Sequence, residues 1–183
     1  MTFSTDARQL GAWCWLERRL FEVVGGWVAT TPDAEVKVHL ASVCHHHAWR
    51  AELIDRLLPR AYAGPLEDLV RAPADGAVVD RMATLEVSVE RLAALYRVVL
   101  PRALASYRSY LEGCNPATDG PSIRTVRIIT TDVRDDWAVG EALLQAQLGG
   151  INDVDRAAHV VANLEKDLVN PPLAGNCLTA FRR

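Results

Sequence analysis

Apolar residues recur at three- and four-residue steps along most of this chain. Such spacing is typical of helices that bury one face against a common core. It predicts four long helices followed by a shorter fifth one, with approximate bounds 5–28, 32–58, 78–112, 122–148 and 153–169. With 183 residues, 50% of them hydrophobic, the chain can bury one sizeable core. The sequence therefore predicts one all-α domain over residues 1–183.

Helix-breaking residues set the lengths of the connections. The first two predicted helices are separated only by residues 29–31, and the third and fourth by a short turn over 113–121. Between these pairs, segment 59–76 is rich in proline and glycine and long enough to run the length of a bundle. This order predicts two antiparallel hairpins joined by a long crossover. Pro101 should kink the third helix.

Charge and composition exclude several partners and locations. The formal net charge is −3, and acids and bases are interleaved without a basic stripe. We therefore expect no nucleic-acid partner. No apolar run is long enough for a membrane span and the N-terminus lacks a signal pattern, so a cytoplasmic location without membrane contact is expected. The four cysteines lie far apart and are expected to be reduced thiols.

Two ionisable residues lie at the centres of apolar helix faces. Placing residues at 100° steps puts Glu17 at the middle of the first helix's apolar face and His47 at the middle of the second, with Arg50 beside it. In an antiparallel hairpin Glu17 comes within about one turn of Cys44. An isolated buried carboxylate is costly, so Glu17 should be paired, metal-bound or protonated.

The run His45-His46-His47 resembles a metal-binding tag, but its side chains diverge. Adjacent residues on a helix point about 100° apart, so the three rings cannot converge on one ion. We expect His45 to face outward and His46 to lie on the flank of the apolar face, where His39 also lies.

Helix lengths, connection order and the terminal fifth helix make residues 5–170 similar to the ferritin-like superfamily. Its di-iron members supply a glutamate from the first helix and Glu-x-x-His from the second, and repeat this pair in the second hairpin. The resemblance implies Glu17 and His47 as ligands, with Cys44 in place of the bridging glutamate. It also implies a third-helix ligand, either Glu86 or Glu90.

The fourth helix departs from that pattern because it has no Glu-x-x-His. Counting back through the second hairpin places its aspartates level with residues 97–101, away from the depth of Glu86. Glu141 lies about half a turn from that depth. The aspartates left out of the predicted site are Asp132, Asp135 and Asp136.

Two enzymatic hypotheses remain open. In the first, Glu17, His47 and Glu86 hold iron or another divalent transition metal, with Cys44 or His46 as further ligands, and the site performs redox or oxygen chemistry on a small molecule held within the bundle.

In the second, no metal binds. The Arg50 guanidinium neutralises Glu17 and serves as an anion clamp, while Glu17 or His47 performs acid–base chemistry or helps to bind a ligand.

The third hypothesis is a non-catalytic bundle that acts through an interaction surface. Trp15 and Trp49 lean away from the core centres and are candidates for a homodimer face.

Overall fold

A computed structural model of the protein describes residues 3–59, 68–168 and 176–178. All regular elements within these ranges are helical, as predicted. The α-helices are α1 (Phe3–Thr30), α2 (Ala34–Asp55), α3 (Ala77–Met82), α4 (Ser88–Ala93), α5 (Leu100–Gly113), α6 (Gly120–Gln147) and α7 (Ile151–Leu168). A 3-10 turn, Ala74–Gly76, precedes α3, and a π-helical turn, Ala94–Val99, joins α4 to α5.

Helices α1 and α2 form the first antiparallel hairpin. Thr31 donates a hydrogen bond from its hydroxyl to the Trp27 carbonyl at 2.8 Å, at the end of α1. The Asp33 carboxylate then accepts the Val36 N–H at 2.9 Å and caps α2. These two short local bonds complete the tight reversal that the sequence predicted.

The predicted continuous helix over 78–112 is interrupted at 83–87. Val87 adopts an extended conformation before α4 begins. The buried Arg91 side chain donates to the Leu85 carbonyl at 2.9 Å, which compensates a backbone group that the break leaves without a helical partner. The prediction of one uninterrupted helix was wrong here, and Glu86 consequently lies exposed in a non-helical segment.

The π-helical turn ends at Val99, two residues before Pro101. The Leu100 N–H bonds to the Leu95 carbonyl, five residues back, as in a π-helix. The same pattern would pair the Tyr96 carbonyl with the N–H of residue 101. Proline has no N–H to donate. The Trp137 indole of α6 supplies the bond instead, at 2.8 Å from the Tyr96 oxygen. The sequence predicted a kink at Pro101, and the structure has a widened π-helical turn shortly before this proline.

One apolar core connects the helices. Helix α6 packs against α2 and against the segment from α4 to α5, while α7 packs on α4 and the π-helical turn. Trp13 of α1 meets Tyr107 of α5 edge to face, with ring centroids 4.7 Å apart. The two hairpins therefore share one core, although part of the predicted crossover, 60–67, lies outside the described residues.

The 3-10 turn is anchored on both sides. A Cβ atom at Gly76 would lie 2.7 Å from the Trp15 ring, so the absence of a side chain there lets the indole approach. Because the Trp15 indole packs against Gly76 of its own chain, it is a poor candidate for a dimer face. On the other side, the Asp75 carboxylate accepts the N–H groups of Cys177 at 3.0 Å and Leu178 at 2.7 Å, which holds the chain segment 176–178 in place.

Within the described ranges, no helix is both long and apolar enough to cross a bilayer.

Candidate functional site

Glu17 and His47 meet in the interior between α1 and α2. Their side chains are 2% and 0% exposed, and His47 Nδ1 lies 2.6 Å from Glu17 Oε2. The Tyr107 hydroxyl of α5 donates to the other carboxylate oxygen at 2.8 Å. Three helices thus converge on one carboxylate.

Arg50 connects this pair to α6. Its Nε donates to Glu17 Oε2 at 3.2 Å, and its Nη1 donates to Asp132 at 2.5 Å and to Asp136 at 2.8 Å. The planar guanidinium suits this role because its donors point in several fixed directions. We call Glu17, His47, Arg50, Asp132 and Asp136 the buried polar centre.

The protonation states of Glu17 and His47 follow from their surroundings. Burial alone would raise the pKa of Glu17, but Arg50, His47 and the Tyr107 hydroxyl outweigh it and lower this pKa to about 2. Burial and the neighbouring Arg50 charge lower the pKa of His47, against the opposing effect of Glu17. At neutral pH Glu17 is therefore a carboxylate and His47 a neutral imidazole.

These states fix the position of the imidazole proton. A carboxylate only accepts hydrogen bonds, so the 2.6 Å contact requires the proton on His47 Nδ1. Arg50 Nη2, which lies 2.9 Å from Nδ1, is then a close neighbour rather than a donor to it. His47 Nε2 keeps its lone pair, and this buried atom has no hydrogen-bond partner among the described residues.

His46 lies on the solvent-facing side of the centre. Its Nδ1 is 2.7 Å from Asp136 Oδ1, and its side chain is 42% exposed. Asp132 is 24% exposed, whereas Asp136 is only 6% exposed. The centre therefore approaches solvent between α2 and α6.

A second histidine contact lies beside the centre. The Tyr96 hydroxyl and His39 Nε2 are 2.7 Å apart. Burial, and then the Asp136 charge, raise the pKa of Tyr96 well above its usual value, while burial lowers the pKa of His39. The Tyr96 ring lies against the backbone of Gly140, where a Cβ atom would come within 2.1 Å of it.

The structure brings together Glu17, His47 and Arg50, the three residues predicted from the apolar faces of α1 and α2. The predicted depth of Glu17, within one turn of Cys44, agrees with its contact to His47. His45 is exposed, also as predicted. The catalytic roles suggested for the three residues remain predictions.

The metal-ligand set suggested by the ferritin-like resemblance does not assemble as predicted. Cys44 Sγ donates to the Phe21 carbonyl at 3.5 Å, and His46 contacts Asp136 rather than Glu17. Glu86 lies exposed in the break after α3.

The other two glutamates considered pair elsewhere. Glu90 accepts from Arg156 at 3.2 Å, and Glu141 accepts from Arg97 at 2.9 Å. Neither carboxylate is therefore a member of the buried polar centre.

The exclusion of Asp132 and Asp136 was wrong. The register within the second hairpin was predicted correctly, because Trp137 does face the Tyr96 carbonyl. The error lay in the offset between hairpins: Glu17 lies level with Tyr107 rather than with Glu86. The four-residue spacing of the two aspartates, which puts both on one side of α6, was the sequence signal that could have identified them.

Comparisons with protein-family models, with curated proteins and with solved structures find no match for this chain. The fold and the site alone define the class: an all-helical protein whose core contains a histidine, an arginine and several carboxylates joined by hydrogen bonds.

Proposed function

We propose that the protein is a ferritin-like bundle that binds a small molecule at the buried polar centre and performs acid–base chemistry on it. His47 is the proton acceptor and Glu17 orients it. In this proposal Arg50 takes the place that the ferritin-like resemblance would give to a metal beside Glu17 and His47. The expected cytoplasmic location and a homodimer contact through the partly exposed Trp49 belong to the same proposal.

The observation that carries this proposal is that the buried His47 Nε2 has no hydrogen-bond partner in the part of the chain that the structure describes. A buried acceptor without a partner costs about 1–3 kcal/mol, so native proteins rarely retain one without a role. A hydroxyl, amine or water proton of a bound molecule would satisfy it. A carboxylate that fixes the Nδ1 proton and leaves Nε2 available is the arrangement of a general base.

The surrounding charges support proton transfer to Nε2. When His47 accepts a proton it becomes an imidazolium, which the Glu17 carboxylate stabilises at 2.6 Å. Asp136 also favours the charged ring. Arg50 keeps Glu17 ionised throughout, so the carboxylate continues to hold the Nδ1 proton rather than remove it.

Arg50 also argues against a metal directly between Glu17 and His47. Its guanidinium contacts both residues and is 0% exposed. A cation bound between them would have to displace a buried charge that three carboxylates already stabilise, which would be strongly unfavourable.

The test compares wild-type protein with His47→Gln and Glu17→Gln, using His45→Gln as the matched control on the exposed side of the same helix. Each protein is incubated with a small-molecule extract of cells, and the extract is profiled by mass spectrometry. We expect at least one compound to be consumed by wild type and by His45→Gln but not by the other two variants.

Nitrogen NMR of His47 provides a readout that does not depend on folding of the variants. The expected spectrum at neutral pH has a protonated Nδ1 and an unprotonated Nε2, and the Nε2 resonance shifts when the small-molecule extract is added. No consumption by wild type together with an unchanged Nε2 resonance would refute the proposal and favour a non-catalytic bundle.

A further inference from the structure

The solvent-facing side of the buried polar centre brings an imidazole and two carboxylates together. One ligand atom each from His46, Asp132 and Asp136 lies within 4.8 Å of the other two. The residues come from α2 and α6, so the fold rather than local sequence assembles them. Because His46 and Asp132 are partly exposed, an ion can reach this position from solvent.

Arg50 leaves the charge of this region unbalanced. It contacts three carboxylates, those of Glu17, Asp132 and Asp136, but carries one positive charge. The formal charge of the guanidinium and the three carboxylates together is therefore two negative units. Carboxylates that are removed from water need compensation by a cation, and the missing charge equals that of one divalent ion.

We propose that His46, Asp132 and Asp136 bind one divalent transition-metal ion on the solvent side of Arg50. An imidazole with carboxylates suits zinc, manganese, iron or cobalt, and three protein ligands leave open positions for water or substrate. This site uses neither Glu17 nor His47 as a ligand and does not depend on the acid–base role proposed for them.

The local geometry requires only small adjustments. Metal bonds of about 2.0–2.2 Å hold neighbouring ligand atoms roughly 3–3.5 Å apart. Ligand atoms that lie up to 4.8 Å apart must therefore approach one another by up to about 1.3–1.8 Å. If Nδ1 is the ligand atom of His46, the neutral ring changes tautomer: Nδ1 gives its proton to water and Nε2 takes one from water, with no net proton release. Each aspartate has two oxygens, which allows Arg50 to keep its bonds while the ion binds.

The test uses Co²⁺, because bound cobalt absorbs visible light. Untagged wild-type protein is dialysed against Co²⁺, and bound metal is measured by mass spectrometry and by the visible spectrum. We expect about one ion per chain. His46→Gln and Asp132→Asn should each weaken binding at least about tenfold, as expected when one ligand of three is lost.

Two neighbours provide matched controls. His45→Gln and Asp135→Asn change the same residue types at exposed adjacent positions and should leave Co²⁺ affinity unchanged. Circular dichroism is used to check that all four variants are folded. Wild-type binding well below one ion per chain would overturn the metal site, as would equal affinity in wild type and both ligand variants.

Failure of the metal site and failure of the acid–base proposal are distinguishable. If wild type consumes a compound in the presence of EDTA and binds no Co²⁺, the acid–base proposal stands and the metal site falls. If Co²⁺ binds as expected and no compound is consumed, the metal site stands alone.

Discussion

Replacing Gly140 with alanine tests how the π-helical turn is packed. A Cβ atom at this position would lie 2.1 Å from two atoms of the Tyr96 ring and 2.4 Å from a third. The ring is fully buried and its hydroxyl is bonded to His39, so it cannot swing into solvent. Overpacking of this kind costs about 1–3 kcal/mol, and loss of the phenol bond adds about 1 kcal/mol.

The gain in helix propensity offsets only part of this cost. Glycine to alanine within a helix stabilises by about 0.5–1 kcal/mol, which leaves a net destabilisation of about 2 kcal/mol. For a chain of this size the Tm should fall by about 4–8 °C, measured by calorimetry or circular dichroism. Gly26→Ala is the matched control, because a Cβ atom there meets nothing within 4 Å. Its Tm should rise by about 2 °C.

A double variant separates ring packing from other causes. In a Tyr96→Leu background the ring is absent, so Gly140→Ala should no longer lower the Tm. If Gly140→Ala and Gly26→Ala shift the Tm in the same direction, the close contact of the ring with α6 is not a feature of the folded protein, and the argument fails.

Three further predictions concern the buried polar centre and the π-helical turn. In the folded protein the pKa of Glu17 is lowered from 4.5 to about 2. The ionised carboxylate therefore adds roughly 3 kcal/mol to the free energy of unfolding above about pH 4.5, and this stabilisation is lost as the pH falls toward 2. Urea unfolding at pH 7 and pH 3 should therefore show a smaller pH dependence in Glu17→Gln; an unchanged difference would contradict this pKa. Arg50→Met leaves three carboxylates without their cation, so it should destabilise the protein by about 3–5 kcal/mol at pH 7 and by less at pH 5, where proton uptake relieves the repulsion. A loss that is larger at pH 5 would refute this. Trp137→Phe removes the donor to the Tyr96 carbonyl and should cost about 1–3 kcal/mol. Trp49→Phe changes a tryptophan of similar exposure on α2 and, at protein concentrations where the chain is monomeric, should cost less than about 0.5 kcal/mol. Equal losses in the two variants would argue against the indole bond.

The sequence contained enough local information to place most of the helices. The sequence predicted that the second helix begins at about residue 32, and α2 begins two residues later, at Ala34, after the Asp33 cap. The connection before it is too short for anything except an antiparallel hairpin. The break at 83–87 was not predictable in the same way. It depends on Arg91 reaching back to the Leu85 carbonyl, and a buried arginine is not distinguishable from an exposed one by periodicity alone.

The candidate site also contains residues that local sequence could predict and residues that depend on tertiary packing. Glu17, His47 and Arg50 could be predicted because all three lie within one hairpin, where counting residues from a short turn fixes their relative depth. Asp132 and Asp136 could not be predicted in this way, because their depth relative to Glu17 depends on the axial offset between the two hairpins. The crossover is too long to set that offset.

By itself, the sequence determined the all-helical class, the antiparallel first hairpin and the pairing of Glu17 with the second helix, because helical periodicity and short connections act over a few residues. The tertiary structure decided which residues of the second hairpin complete the centre. Side-chain packing between the hairpins sets their offset, and that offset places Tyr107 beside Glu17 and two aspartates beside Arg50. A shift of one helical turn, about 5.4 Å, would have brought different residues to the same depth.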